Sequence, residues 1–136
     1  MAMFGALDAA TSGLTVSRVW LDAISDNVSN INTVRSTKDE PFRARMVIVS
    51  AIQRGEGEAG GARVEAIKDR PGDANIVYDP THPLADENGN VQNANVDLSV
   101  EMTNMIIANR SYQANLRMVE IATDTYRSAL QIGKRG

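Results

Sequence analysis

Few residues of this chain are placed to do chemistry. His82, its one histidine, stands in YDPTHPLADE beside Asp79, Asp86 and Glu87. An imidazole among carboxylates could hold a divalent metal or relay a proton. Two prolines in the same ten residues describe a rigid loop equally well, and the residues alone favour that reading. GEGEAG, residues 55–60, has the spacing G-x-G-x-x-G that lets backbone amides approach a pyrophosphate. Glu56 and Glu58 would repel the phosphates, and a strand-like segment follows where a helix is required, so a hairpin loop is expected. DENGN puts its glycine fourth, whereas a calcium loop of the EF-hand type needs it sixth. The absence of cysteine excludes disulfides and thiol catalysis, and suits an oxidising compartment. No nucleophile, base and orienting acid group together by spacing, so neither catalysis, cofactor nor metal is expected.

Without a catalytic group to position, the elements themselves become the informative part. The chain has 136 residues, enough for one modest domain or two small units sharing a core. Its 14 basic and 17 acidic residues nearly balance, so nucleic acid is not an expected partner. The opening MAMFGALDAATSGLTVSR reaches its first basic residue only at Arg18, and small polar residues interrupt it. Neither a cleaved signal peptide nor a membrane-inserted segment is expected there.

Leu7, Leu14, Leu21 and Val28 recur every seven residues, with Phe4, Ala10, Ile24 and Ile31 interleaved and Ser17 breaking the run. One long amphipathic helix follows from that period. Leu98, Met102, Met105, Tyr112, Leu116, Val119, Tyr126 and Leu130 make a second stripe, with the polar Asn109 and Thr123 at two of its positions. Asp97 or Ser99 could cap this helix, Glu101 suits its first turn, and Gly133, Lys134 and Arg135 suit its end. Between the helices, FRARMVIVSAIQ, RVEAIKD and NIVYDP read as strands, and Asn88-Gly89 supplies a turn before NVQNANV. The expected fold is α+β: long N- and C-terminal helices paired as an antiparallel coiled-coil-like core around a small β-rich insert. Residues 1–35 and 96–136 would form a discontinuous helical domain, and 36–95 the insert. Helices of about 30 to 35 residues run roughly 45 to 50 Å, longer than the insert can cover. Either their stripes bury against other chains as well, or the chain is a self-contained helical hairpin.

SDNVSNINTVRST sets Asn27, Asn30 and Asn32, then Arg35, where the first helix must stop. Asparagine tolerates left-handed backbone and can bond unpaired carbonyls, which explains part of the cluster. This stretch also resembles the asparagine-rich motif of the bacterial flagellar axial proteins, and MFGALDAATSGLTVSRVWLDAI before it is similar to their N-terminal helix. EPFRARMV, YDPTHPLADENGNV and VDLSVEMTNMIIANRSYQANLRMVEIATDTYRSALQIGK resemble later segments of the basal-body rod proteins in that family, in the same order. Only QRGEGEAGGAR has no clear counterpart.

The resemblance implies a structural subunit of the proximal rod, the drive shaft across the periplasm. It implies export through the flagellar type III apparatus without a cleaved signal, and helical assembly with copies of itself and other rod proteins through the terminal helices. On that view Leu7, Leu14, Leu21, Ile24 and Val28 would form the helix seam with Met102, Met105, Tyr112, Leu116, Val119, Tyr126 and Leu130. Trp20 and Ile107 would face neighbouring subunits. Asn27, Asn30, Asn32 and Arg35 would set the angle at which the chain leaves the core. A free interaction module with a β cap, and an enzyme built on His82 and Asp79, are the competing classes.

Overall fold

A computed structural model describes residues 2–55 and 58–133, the side chains of residues 2–4, 54, 58 and 59 excepted. The Phe4 and Glu58 side chains, Glu56, Lys134 and Arg135 thus lie outside the described residues. Helix α1 spans Ala2–Ser29 and helix α2 Leu98–Gly133. Asp97 caps α2, its Oδ1 accepting the N–H groups of Ser99 at 2.8 Å and Val100 at 3.3 Å; these are the donors that a helix start leaves unpaired.

The end of α1 differs from the expectation of left-handed asparagine. No non-glycine residue among those described has positive φ. Instead the last turn tightens: Asn30 N–H is shared between the carbonyls of Asp26 and Asn27, and Ile31 N–H reaches Val28. The Asn30 side chain then donates to the Asp26 carbonyl at 2.8 Å and accepts from the Thr33 hydroxyl. Amide hydrogen bonding closes this helix, so the strained backbone is unnecessary.

Between the helices lie two separate antiparallel sheets, so the fold is α+β. One is three-stranded, in the order β1-β5-β4, from Val34–Arg35, Asn90–Asn93 and Asn75–Tyr78. The other is the hairpin of β2, Arg45–Gly55, and β3, Glu58–Asp69. The segments read as strands all become strands, and the glycine-rich stretch falls where β2 turns into β3.

Helix α1 lies at the centre and packs on both α2 and the hairpin. The hairpin approaches through Gly60, which is buried, and Gly61, which has φ +98°. A Cβ on Gly61 would run into the Ser12 hydroxyl and sit 3.1 Å from the Ala9 Cα, so only glycine lets the strand lie this close. Ser12 Oγ completes the contact by accepting the Ala62 N–H at 3.0 Å while donating to the Ala9 carbonyl.

Three contacts set the register of the helices. Gly13 abuts Asn115, Ser17 Oγ donates to Ser111 Oγ at 3.2 Å, and Asn27 reaches Glu101. Each pair of numbers sums to 128, as an antiparallel pair requires. On that register α1 meets α2 along Ala10, Gly13, Ser17, Trp20, Ile24 and Asn27, at steps of three and four. The facing line on α2 is Glu101, Asn104, Ala108, Ser111 and Asn115. Ala108, opposite Trp20, is 0% exposed. Helix α2 thus brings only small and polar side chains to the seam, which leaves room for Trp20 and Ile24 of α1.

Candidate functional site

Two features of the helix pair can carry function: a buried polar hub at one end, and the apolar surface left beside the seam. The hub grows from Asn27, in the last turn of α1, which is 1% exposed. Its Oδ1 accepts Arg45 N–H at 2.7 Å, and its Nδ2 donates to the Arg45 carbonyl at 2.9 Å and to Glu101 Oε2 at 3.1 Å. One amide thus pairs with a strand residue as another strand would, and only one amide orientation satisfies all three bonds. Glu101, in the first turn of α2, is also 1% exposed, and its Oε1 receives Arg70 at 3.2 Å. Arg70 follows β3, and its N–H extends the hairpin ladder to the Ala44 carbonyl. Outside the hub, the Arg45 guanidinium holds Asp26 at 2.7 Å. Among the described residues no buried side-chain polar atom lacks a partner, as a stable buried network requires.

The four motif residues therefore have unlike places. Asn27 clamps a helix to a strand, Asn30 closes the helix end, and Asn32 is exposed. Arg35, also exposed, donates to the Glu40 carbonyl at 3.1 Å.

The apolar stripes are shifted from their expected place. Ile24 is buried and Leu7, Leu14, Leu21 and Val28 are half-buried, flanking the small-residue line on α1. On α2, Met105, Tyr112 and Val119 are half-buried, while Met102, Leu116, Tyr126 and Leu130 are exposed, Met102 at 56%. The line facing α1 runs one residue earlier, through Glu101, Asn104, Ala108, Ser111 and Asn115. Trp20, expected to face a neighbour, is half-buried and falls on the α1 seam line. Ile107 is exposed and belongs to a second α2 stripe with Val100, Met118, Ile121 and Ile132, all exposed. At 100° per residue the two stripes lie roughly 80° to either side of the seam. Among the described residues no helix is long and apolar enough to cross a membrane.

The His82 region is a braced loop. Its Nδ1 accepts Leu84 N–H at 3.1 Å, and Asp79 accepts both the hydroxyl and the N–H of Thr81. Asp86 receives Asn88 N–H, Asn90 N–H and the Thr37 hydroxyl. The Thr81 hydroxyl chiefly lowers the Asp79 pKa, and the Asn90 N–H chiefly lowers that of Asp86, each below the ordinary 3.8. Their contribution to loop order is therefore complete above 3.8 and is lost as pH falls through the folded values beneath it. In an acid titration the amide resonances of Thr81, Asn88 and Asn90 should move below that value, and constant shifts across the range would contradict this.

Residues 87–132, nearly all of α2 with the strand and turn before it, match the family model described as the flagellar basal body rod FlgEFG protein C-terminal. The match falls on the second of two terminal helices paired across a β-rich insert, and the relatives place the whole chain among the flagellar basal-body rod proteins. The relatives narrow this further. The chain is 35% identical to the flagellar basal-body rod protein FlgC of Bacillus subtilis (strain 168), with 98% of this chain and 100% of that protein covered. The FlgC of Yersinia enterocolitica is 34% identical and that of Salmonella typhimurium (strain LT2) 33%, each with 98% and 100% covered. The chain belongs to the FlgC family of flagellar basal-body rod proteins. It is a structural subunit of the rod; its relatives are named as rod proteins and not as enzymes.

Proposed function

We propose that the chain builds the proximal rod by burying its two exposed α2 stripes against helices of neighbouring subunits, both copies of itself and other rod proteins. The observation that carries this is the placement of large apolar side chains on both sides of a seam that small residues already close. A monomer gains nothing from Ile121 at 61% and Ile107 at 49% exposure, whereas contiguous apolar surface of this kind marks an interaction site. The stripes differ in sequence, and in this reading each meets a surface unlike itself. Contacts of that kind propagate into rings or open helical assemblies and not into closed dimers, which suits a tube acting as a drive shaft across the periplasm.

In this reading residues 1–35 and 96–136 form the helical unit of the tube wall, coiled-coil-like in its packing between subunits, and 36–95 form an insert on its outside. Ile107 and the α2 residues Met102, Leu116, Tyr126 and Leu130 bind neighbours, while Trp20 supports the seam. Delivery to the periplasm through the flagellar type III apparatus accords with the absence of cysteine.

Ile107→Glu combined with Ile121→Glu tests the reading. Both positions are exposed, so each substitution should cost the monomer less than about 0.5 kcal/mol, whereas an unpaired charge buried between subunits is strongly unfavourable. The expected result is an unchanged melting temperature with no rods and no swimming. Normal motility would refute the assignment of this stripe.

A further inference from the structure

We infer that Glu101 couples the pairing of the two helices to the seating of the β2–β3 hairpin, so that neither is ordered independently of the other. The inference stands on the geometry of the single chain and holds or falls apart from the rod reading. Helix α2 and the hairpin lie on adjacent faces of α1, and the two elements do not pack on each other among the described residues. Glu101 nevertheless reaches from α2 to both: one carboxylate oxygen takes Asn27 of α1, and the other takes Arg70 at the base of the hairpin. The same Asn27 amide that donates to Glu101 holds the Arg45 backbone, where β2 begins. A signal of helix pairing thus passes from α2 through one carboxylate to both strands at the hairpin base.

The placement is costly unless it has a use. A carboxylate that is 1% exposed has lost its hydration, and an apolar side chain at this seam position would be no less stable in many folds. What the carboxylate adds is conditionality. When α2 is docked, Arg70 and Asn27 have their acceptor; when it is not, the hairpin base keeps the Asn27–Arg45 pair, the Arg45–Asp26 ion pair and the contact through Gly61 but loses the carboxylate that joins its two strands. Partly satisfied polar networks lose much of their rigidity, so the base should loosen as the helices part.

Hydrogen exchange on the full chain tests this through residues that do not touch one another. Arg70→Ala leaves the buried Glu101 carboxylate with Asn27 as its remaining partner, so exchange is read under conditions where circular dichroism shows the variant folded. It is expected to speed exchange of the amides at positions 45 and 70 at least tenfold and, because a coupling acts in both directions, to speed those of Ala108 and Ser111 as well. Ala108→Val wedges the seam at a position fully buried between the helices and far along α2 from the hub. It is expected to speed the same two hairpin amides tenfold, and to have less than a twofold further effect in the Arg70→Ala background. Hairpin amides that stay protected when the seam is wedged would overturn the inference, as would independent, multiplicative effects of the two substitutions.

Discussion

Asn27→Asp should destabilise the isolated subunit by about 3 to 5 kcal/mol, although it exchanges one nitrogen for one oxygen. The present amide donates to the Arg45 carbonyl and to Glu101 Oε2 while accepting Arg45 N–H. An aspartate retains the acceptor and loses both donors. It leaves the Arg45 carbonyl without its partner and sets a second carboxylate about 3 Å from the first, where the donor now stands. A buried charge left uncompensated typically costs the amount stated. The penalty should shrink on acidification, because one proton shared between the two carboxyls removes their repulsion. Asn32→Asp supplies the control: it alters the same residue type five positions later in the same motif, on an exposed side chain, and should stay within about 0.5 kcal/mol. Thermal or urea unfolding of the two variants checks both values. Equal effects would mean that the motif acts through its composition and not through this hub.

Gly61→Val should be comparably damaging for a different reason. The backbone there has φ +98°, which a β-branched residue adopts only under strain, and the added side chain would enter the space of Ser12 and Ala9 on α1. Backbone strain of about 1 to 2 kcal/mol and overpacking of about 1 to 3 kcal/mol combine to roughly 2 to 5 kcal/mol. At about 4 °C per kcal/mol for a chain of this size, the melting temperature should fall by roughly 10 to 20 °C. Gly55→Val, at a glycine whose Cβ would meet nothing within 4 Å, should leave it nearly unchanged. Similar losses at both glycines would argue against close packing of the hairpin on α1.

Hydropathy made the two helices legible, because Leu7, Leu14, Leu21 and Val28 and the Met102 to Leu130 stripe keep a period that only a helix can present on one side. The strands were legible through β-branched runs such as MVIV and through Asn88-Gly89. The seam was not, for a physical reason: Gly13, Ser17, Ala108, Ser111 and Asn115 carry too little apolar area to register in a hydropathy pattern, and close helix packing selects such small residues. A signal was nevertheless present. Ala10, Gly13 and Ser17, and likewise Ala108, Ser111 and Asn115, repeat at three and four beside the larger stripes, and small residues at that spacing mark close approach of two helices.

Glu101 illustrates a second limit. Its place in the first turn suits the helix dipole, and that local explanation concealed a long-range one. Nothing in the sequence pairs it with Asn27, 74 positions away, or with Arg70, 31 away. Asn27 and Asn32 stand five residues apart in one motif, yet one is buried in the hub and the other meets solvent. Composition identified the cluster, and only the fold distinguishes its members.

The most direct test is a density map of isolated basal bodies, resolved well enough to trace helices in the proximal rod. The account predicts α1 and α2 of each subunit paired through Gly13, Ser17, Ala108 and Asn115, with helices of other subunits about 8 to 10 Å from α2 on both the Met102–Leu116 side and the Ile107–Met118 side. A map in which those two stripes face solvent or the lumen, or in which the small-residue seam joins different subunits, would contradict it.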